Sequence, residues 1–418
     1  MTENNPTKIG IETAYIRRDL ELTLEKYLPL PQILAIVGPR RSGKTTFLTY
    51  LSKKLPESIF LSFEDEDILN LFENDIKSFA KLYLEPNKNI ILDELQYAKR
   101  GGKNLKYLFD SYPGKKIIIS GSSSLDLTLR AARYLVGRIL SFPLYPFSFE
   151  EFLRAKEPQL EELIGQKNPS PTLTRHIRTY LNEYLIYGGY PEVVLENNLE
   201  IKQTLLKNIY QLYFLKDVTT LAHLVDDWKL KTLVKILAAN IGGILNYSLL
   251  CSQANIDFKT LKSYLNFLEK TFIIFLLFPF FTNKTKEITK NPKIYFYDLG
   301  LRNVLISSFE PVLLRNDLGF LRENFLAIRL KPTEAGLHFW RTKAKAEVDF
   351  VVEKENEVVP IEVKSQLQGA KISRSLQSFL FRYQPKNAFV ANLEFFGQKK
   401  FVQTMVNFVP LYFSPYFF

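Results

Sequence analysis

The residues best suited to chemistry lie in a glycine-rich stretch near position 40. An apolar run, 33–37, leads into a Gly-x-x-x-x-Gly-Lys-Thr pattern, and residues that tolerate a helix follow it. Gly38 and Gly43 allow a tight turn that aims backbone N–H groups at an anion. Lys44 would reach the β- and γ-phosphates, and the Thr45 hydroxyl would bind Mg2+. The pattern therefore predicts a P-loop that binds a nucleoside triphosphate.

The loop as a whole is predicted to hold the nucleotide. Its members are Gly38, Pro39, Arg40, Arg41, Ser42, Gly43, Lys44, Thr45 and Thr46. The helix that begins near Lys44 adds the positive end of its dipole to the same site. Arg40 and Arg41 would either approach the phosphates or face solvent.

A pair of carboxylates follows a second strand-like run, about fifty residues after the loop. This run, 89–92, is followed by Asp93 and Glu94. Asp93 is expected to bind Mg2+ through water, and Glu94 to polarise the water that attacks the γ-phosphate, since hydrolysis needs a base. The spacing after a P-loop makes this the pattern of a Walker B strand.

A third apolar run, 116–119, ends in serines. If this strand lies between the other two, a polar residue at its end can contact the γ-phosphate or the attacking water. Ser122 is the first choice for this role, and Ser120 is the alternative. A plain glycine–serine turn explains the pattern equally well.

Two arginines follow this region. Arg138 or Arg133 would act as an arginine finger that stabilises transition-state charge in the site of a neighbouring subunit. An ordinary surface salt bridge explains an arginine at either position equally well.

Length and composition limit what else the chain can be. Its 418 residues are too many for one core, so about two to four domains are expected. Cys251 is the only cysteine, which excludes an intramolecular disulfide and cysteine-rich zinc sites. The start of the chain is polar, and the longest apolar run, 272–281, is too short to span a bilayer. No membrane span is predicted, and a cytoplasmic location is expected.

The net charge of +11 is concentrated in one segment. Between Lys229 and Lys293 there are ten lysines and three acidic residues, so seven of the eleven excess positive charges lie there. Such a patch suits a polyanion, most often a nucleic acid. The alternative is a solvated, lysine-rich surface.

The same segment has the pattern of a winged helix-turn-helix. A short helix is predicted over Tyr247–Ala254, with Ser248 as its cap, and a second over Phe258–Lys270. The wing strands are predicted over 272–281 and 293–297. Side chains off the apolar stripe of the second helix are expected to face DNA, namely Lys259, Lys262 and Ser263. A winged helix that contacts protein instead is the alternative.

A predicted hairpin in the C-terminal part carries the strongest further signal. A two-residue turn at 355–356 places Asp349 opposite Glu362, and strand alternation puts Lys364 on the same face as Glu362. Two carboxylates that face each other repel unless a cation lies between them. With a lysine, they suit Mg2+-assisted hydrolysis of a phosphodiester. Pro360, within the second strand, suggests that the strand lies at an edge or carries a bulge.

Together these strings resemble the prokaryotic AAA-type ATPases that carry a C-terminal domain of unknown function. The resemblance is carried by Gly38-Pro-Arg-Arg-Ser-Gly-Lys-Thr-Thr46, Leu92-Asp-Glu-Leu-Gln96, Ser120-Gly-Ser-Ser123, Gly137-Arg138, Leu144-Tyr-Pro-Phe-Ser-Phe-Glu-Glu151, Tyr187-Gly-Gly-Tyr-Pro-Glu192, Lys293-Ile-Tyr-Phe-Tyr-Asp298 and Glu347-Val-Asp349. It covers most of the chain and implies Mg-ATP at the P-loop and Walker B positions. Because AAA-type sites usually form between subunits, it also implies a homo-oligomer.

The hairpin further resembles the core of the PD-(D/E)xK nucleases. Asp349 matches the Asp of that motif, Glu362-Val-Lys364 matches its E-x-K, and Glu323 resembles the acidic residue of the preceding helix. The resemblance implies Glu323, Asp349 and Glu362 as ligands of Mg2+ or Mn2+, and Lys364 as a catalytic residue. Val348 replaces the proline of the motif, at a position that carries no chemistry. The alternatives are a charged hairpin and an inherited nuclease fold without turnover.

These elements predict an α/β protein with four parts. We expect an AAA-type P-loop ATPase domain over 1–150, a helical lid or linker over 151–228, a winged-helix domain over 229–310 and a restriction-endonuclease-like α/β module over 311–418. The expected function is Mg-ATP hydrolysis coupled to action on or at DNA, with the activity of the nuclease module left open. The alternative is an ATP-controlled switch that binds partners and whose nuclease fold is catalytically silent.

Overall fold

The structure is a computed structural model that describes residues 15–121, 132–165, 170–212, 228–281, 290–332, 336–354, 357–365, 367 and 369–413. Within these ranges, no helix is both long enough and apolar enough to cross a membrane.

The N-terminal part builds a parallel sheet. Its strands are β1 Ile33–Val37, β2 Ser58–Ser62, β3 Asn89–Asp93, β4 Lys116–Gly121 and β5 Ile139–Pro143. Their order is β2-β3-β4-β1-β5, and all neighbouring pairs are parallel. β4, which is the third apolar run, therefore lies between β1 and β3. This is the position in which a polar residue at its end can contact the γ-phosphate or the attacking water.

Helices cover both faces of this sheet, which explains why its central strands β1, β3 and β4 are mostly buried apolar runs. They are α1 Leu20–Tyr27, α2 Lys44–Lys54, α3 Glu66–Asn74, α4 Ile76–Phe79, α5 Gly101–Ser111 and α6 Ala132–Leu135. Alternate residues of β1 belong to two different buried clusters: Ile33 and Ala35 pack with α3 and α5, and Leu34 and Ile36 pack with α2.

A helical part follows the sheet. Its first helices are α7 Phe149–Lys156, α8 Pro158–Leu163, α9 Pro171–Tyr187, α10 Pro191–Leu195, α11 Leu199–Leu212 and α12 Trp228–Ala239. Their starts follow ordinary capping chemistry: Ser148 and Glu151 form a reciprocal capping box on α7, and Ser170 caps α9 ahead of Pro171.

Two further helices and a two-stranded antiparallel sheet occupy the lysine-rich segment. They are α13 Tyr247–Ala254, α14 Phe258–Lys270, β6 Ile274–Leu277 and β7 Lys293–Phe296. Both helices have the predicted limits, but the predicted cap of α13 was wrong. The Asn246 side chain accepts the Leu249 N–H at 3.1 Å, whereas Ser248 lies inside the first turn. The turn between the helices is made by Asn255 in the left-handed conformation, and Asp257 caps α14.

The C-terminal part is a six-stranded mixed sheet with helices. Its elements are α15 Leu299–Leu305, α16 Leu318–Leu330, β8 Gly336–Arg341, β9 Glu347–Lys354, β10 Glu357–Val363, α17 Arg374–Tyr383, β11 Asn387–Asn392, β12 Gly397–Phe401 and β13 Thr404–Pro410. The order is β12-β13-β11-β10-β9-β8; β8–β9–β10 is antiparallel, and β10, β11 and β13 run parallel.

The hairpin of β9 and β10 has the predicted register. Pairing runs without a shift from Lys354 opposite Glu357 to Phe350 opposite Ile361. The expectation of an edge strand or bulge at Pro360 was wrong, because β10 lies inside the sheet with Pro360 opposite Val351. The missing N–H of this proline is tolerated because parallel pairing with β11 begins only at Ile361.

One apolar core joins the helical part to the C-terminal sheet. The buried cluster runs from α7 to the residues after β13. At its centre the rings of Phe149 (α7), Tyr184 (α9) and Phe325 (α16) meet edge to face, with centroids 5.4–5.7 Å apart. The limits predicted at residues 228 and 310 stay predictions, but buried apolar surface is continuous across them.

Candidate functional site

The predicted P-loop lies between the end of β1 and the start of α2. Gly43 immediately precedes α2 with a φ of 91°, a conformation that only glycine adopts freely. At Gly38 a Cβ would lie 2.2 Å from the Leu144 carbonyl oxygen, so this position has room only for glycine. Both glycines of the motif are therefore required by backbone geometry.

Lys44 and Thr45 connect the loop to its own backbone and to β3. The buried Lys44 ammonium donates to the carbonyl oxygens of Gly38 at 3.0 Å and Pro39 at 2.8 Å. The Thr45 hydroxyl donates to Oδ2 of Asp93 at 2.7 Å. The P-loop and the carboxylate at the end of β3 thus form one polar site, as the two sequence patterns predicted.

Ser120, on the strand between them, completes this network. Its buried hydroxyl donates to Oδ1 of Asp93 and accepts the backbone N–H of Glu94 at 3.0 Å. Ser120 was the alternative for the polar residue at the end of this strand, and the first choice, Ser122, lies outside the described residues. Asp93 consequently receives a hydroxyl on each of its oxygens.

Glu94 has a strained backbone and a shifted pKa. Its φ is 59°, which is uncommon for a residue with a side chain and recurs at functional sites. The Gln96 amide donates to its carboxylate. Burial is the largest effect and raises the pKa of Glu94; the Asp93 charge also raises it, and Lys44 opposes both. Glu94 is thus a carboxylate with increased affinity for a proton, beside the P-loop lysine.

The sequence analysis missed Arg18, whose side chain supports the P-loop by binding a backbone carbonyl of the loop. This buried guanidinium donates to the carbonyl oxygens of Ser42 at 2.8 Å and Tyr145 at 2.6 Å, and pairs with Glu151 at 3.0 Å. The only local signal was an Arg17-Arg18 pair just before α1, which did not reveal partners so distant in the chain.

A second ion pair joins the P-loop to the helical part. Arg41, with a φ of 63°, contacts Glu192 of α10 at 2.7 Å. Glu192 follows the Gly-Gly-Tyr-Pro turn, which the sequence presented only as a structural feature. The Arg41 side chain is 51% exposed, so it faces solvent, which was one of the two expectations, while it also pairs with Glu192.

The same turn is fixed by a buried aspartate. Asp298 accepts the Gly189 N–H at 2.7 Å and the Leu301 N–H at 2.7 Å. A Cβ at Gly188 would lie 2.3 Å from the Asp298 carboxylate, which explains the glycine. Burial raises the pKa of Asp298 from 3.8 to about 6, against the effect of its backbone hydrogen bonds.

Arg138 lies at the amino end of the parallel strands, whereas the P-loop follows the carboxyl end of β1. It directly precedes β5, its carbonyl accepts the N–H of Ile33 at the start of β1, and its side chain pairs with Asp110 at 2.9 Å. It therefore does not reach the P-loop of its own chain. Arg133 has a side chain outside the described part of the structure.

The lysine-rich segment divides into exposed and buried lysines. Lys259, Lys262 and Ser263 are exposed on α14, as expected from the apolar stripe. The Lys262 ammonium lies 3.9 Å from the centroid of the Tyr247 ring. Lys293 is 2% exposed, so counting it in a surface patch was wrong.

Lys293 instead enters a group of carboxylates in the C-terminal part, which we call the acidic cluster: Glu323, Glu347, Asp349 and Glu362. The Lys293 ammonium contacts Glu323 at 2.9 Å and Glu347 at 2.7 Å. Glu323 also accepts the Tyr295 hydroxyl at 2.6 Å. Burial lowers the pKa of Lys293, but Glu323, Asp349 and Glu347 together raise it, so the lysine stays charged.

The remaining members of the acidic cluster lie on the hairpin. Asp349 accepts the Val363 N–H at 2.8 Å, and Glu362 pairs with Lys364 at 2.8 Å. Burial raises the pKa of Asp349 to about 7, and the negative charge of Glu323 adds to the effect. The structure thus brings together every residue predicted for the nuclease-like site.

The acidic cluster does not fit a divalent metal in this arrangement. Across the described part of the chain, no group of three or more His, Cys, Asp or Glu side chains is arranged to hold a metal ion. The ammonium of Lys293 already binds Glu323, one of the three predicted ligands.

The fold and the P-loop site define an AAA-type P-loop ATPase, and comparison with known families agrees. Residues 30–153 match the family described as an AAA domain. Residues 178–311 and 318–412 match two domains of unknown function, DUF8612 and DUF4143. The second of these confirms the expected C-terminal domain.

The chain belongs to the same protein family as MJ1544 of Methanocaldococcus jannaschii. The two are 30% identical over 384 residues, which cover 89% of this chain and 82% of that protein. A protein of Haemophilus influenzae is 27% identical over 349 residues, covering 79% of this chain and 82% of the relative.

Among solved structures, the Walker-type ATPase PABY2304 of Pyrococcus abyssi is similar to this chain. It is 19% identical, and the match covers 70% of this chain and 96% of that one, with a TM-score of 0.47.

Proposed function

We propose that this chain is an ATP-controlled switch that hydrolyses Mg-ATP at the P-loop. The observation that carries the proposal is the pair of hydroxyl contacts to Asp93. Thr45 from the P-loop and Ser120 from β4 donate to opposite oxygens of this carboxylate, so three neighbouring strands contribute to one site. Such a constellation suits phosphoryl transfer, where positioning and electrostatics dominate catalysis.

Lys44 and Glu94 have distinct tasks in this proposal. The Lys44 ammonium leaves the carbonyl oxygens of Gly38 and Pro39 and binds the β- and γ-phosphates instead. Glu94 takes the proton of the attacking water, and its raised pKa favours that transfer. Thr45 and Asp93 would hold Mg2+, which neutralises charge that develops on the phosphate oxygens.

The proposed output is a change at α10. The Arg41–Glu192 pair joins the P-loop to the helical part, and both side chains are partly exposed. Phosphates bound in the loop compete with Glu192 for the Arg41 guanidinium, because both are anions that guanidinium binds well. Occupation of the site would thus loosen α10 from the loop, and hydrolysis would restore the pair.

The test of this proposal compares Lys44→Ala and Glu94→Gln with the wild type. We expect Lys44→Ala to lose ATP binding, and Glu94→Gln to keep it while hydrolysis falls by at least about a hundredfold, since a positioned base contributes that much. Nucleotide affinity by fluorescence titration and phosphate release measure the two effects. Normal hydrolysis by Glu94→Gln would remove Glu94 as the base, and normal turnover by Lys44→Ala would reject the site itself.

A second candidate function is DNA binding by α13 and α14 as a winged helix-turn-helix. Two exposed lysines and Ser263 on one face of α14 favour it, because such a face contacts phosphates or bases. β6 and β7 would form the wing. In this form of the proposal, DNA is the partner on which the switch acts.

A homo-oligomer is part of the proposal because of where Arg138 lies. At the amino end of the strands, away from the P-loop, its side chain is one-third exposed and pairs with Asp110. From there it would serve only the site of a neighbouring subunit, as an arginine finger does in trans.

A further inference from the structure

We propose that the ammonium of Lys293 is the resident cation of the acidic cluster, so that the C-terminal module is a closed, metal-free site that does not cleave DNA. The proposal is independent of ATP hydrolysis at the P-loop. It rests on how the lysine reaches the cluster and on which carboxylate oxygens it leaves available.

Lys293 reaches the cluster from another element of the fold. It is the first residue of β7, which pairs with β6 rather than with the C-terminal sheet. Its side chain is 3% exposed and lies between Glu323 of α16 and Glu347 at the start of β9. The lysine therefore links β7 to α16 and to β9, the elements that carry Glu323 and Glu347.

Each carboxylate of the cluster already has at least one oxygen in an ion pair or a hydrogen bond. Glu323 receives the Tyr295 hydroxyl as well as Lys293, and Glu347 also pairs with Arg341 at 3.0 Å. Asp349 accepts a backbone N–H through Oδ2.

On Glu362, Oε1 pairs with Lys364, while Oε2 is buried and makes no hydrogen bond in the structure. The Lys293 ammonium contacts two of the four carboxylates. A divalent ion bound by the same carboxylates would lie close to this ammonium, and two positive charges so close together in a buried site repel strongly. Because that ammonium lies against Glu323, a divalent ion has to displace it before Glu323 can act as a ligand.

The same geometry predicts what removal of the ammonium does. When Lys293 is replaced, the cluster loses a buried positive charge. The negative charges of Glu323, Glu347 and Asp349 are then less compensated, and uncompensated buried charge strongly destabilises the folded state. Oxygen ligands of this kind are those that Mg2+ and Mn2+ prefer. Lys293→Met keeps the length of the stem, removes the charge and should convert the cluster into a metal site.

The experiment measures binding of Mn2+ alone, without nucleotide, to the full chain. Electron paramagnetic resonance reports the free ion, and thermal melting reports stabilisation. We expect no binding by the wild type that depends on Asp349. Lys293→Met should bind Mn2+ at least about tenfold more tightly than the wild type and melt at a higher temperature with the ion than without it. The double variant Lys293→Met with Asp349→Asn should lose the gain.

Lys202→Met is the matched control. Lys202 is a buried lysine that pairs with Glu183 at 3.2 Å, far from a group of four carboxylates, so its loss should lower stability without creating a manganese site. Manganese binding by the wild type that Asp349→Asn abolishes would overturn the proposal, and so would a folded Lys293→Met that gains none. If Lys293→Met does not fold, the comparison of wild type with Asp349→Asn decides alone.

Discussion

At the scale of single residues, the hydroxyl of Ser120 determines how the site is held together. It donates to Asp93 and accepts from the Glu94 backbone, so it positions both carboxylates that the sequence assigned to the Walker B strand. Ser120 and Ser122 are two residues apart, so strand alternation would place both on one face and does not decide the choice between them. Sequence alone left that choice open.

Replacing Ser120 by alanine should lower hydrolysis much more than nucleotide affinity. The change leaves Asp93 Oδ1 and the Glu94 N–H without this partner, and an unmet buried hydrogen bond costs about 1–3 kcal/mol. We expect a fall in kcat of about ten- to hundredfold with KM changed little. Ser141→Ala, an exposed serine on β5 of the same sheet, is the control and should hydrolyse ATP normally. An unchanged kcat in Ser120→Ala would mean that Asp93 and Glu94 are positioned without it.

At the scale of elements, the periodicity of apolar residues correctly predicted the helices, whereas the count of lysines did not predict which of them are exposed. The apolar stripe of α14 correctly placed Lys259, Lys262 and Ser263 on its exposed face. The lysine count of the same segment included Lys293, which lies buried in the acidic cluster. Net charge along a segment does not report which of its lysines face solvent.

Replacing Lys259 and Lys262 by glutamate should weaken DNA binding and its dependence on salt. Each lysine that neutralises a phosphate contributes about one to the slope of log K against log salt, so the slope should fall by about two. Fluorescence anisotropy with duplex DNA over a salt series measures both quantities. The control carries the same charge change at Lys103 and Lys106, exposed residues of α5. Equal weakening by both double variants would indicate non-specific attraction rather than binding by α14.

At the scale of the whole molecule, Asp298 joins parts that are distant in the chain. It holds the Gly188–Gly189 turn that precedes α10, and α10 carries the Glu192 partner of the P-loop. The folded state binds a proton at Asp298 more tightly than the unfolded state, because burial raises its pKa to about 6. Its contribution to stability is therefore largest at low pH and falls as the pH rises from about 4 to about 6.

Asp298→Asn should flatten the pH dependence of unfolding in that window. A pKa raised from 3.8 to about 6 corresponds to about 3 kcal/mol of stability lost between these values. The variant should be less stable than the wild type at pH 4, because asparagine offers one acceptor oxygen for two N–H groups. Its free energy of unfolding should fall less than that of the wild type as the pH rises. Urea unfolding at pH 4 to 7 gives both profiles.

Asp317→Asn is the control with the opposite sign. Burial raises the pKa of Asp317, but pairing with Arg315 and Arg302 outweighs it and holds the pKa at about 2. Its stabilisation is complete above pH 4 and is lost only in stronger acid. Between pH 4 and 7, this variant should run parallel to the wild type at lower stability. A slope for Asp298→Asn equal to that of the wild type would contradict the role of Asp298.

The sequence by itself determined the local patterns of this protein: the P-loop, the Asp93–Glu94 pair, the limits of α13 and α14, and the hairpin register. These follow from short-range spacing, because strand alternation, helical periodicity and glycine-dependent turns involve residues close in the chain. Only the tertiary structure decided the partners of Arg18, Arg41 and Lys293, and the interior place of Pro360. Those outcomes depend on which distant elements pack together, since a buried charge takes its role from the groups that folding brings to it.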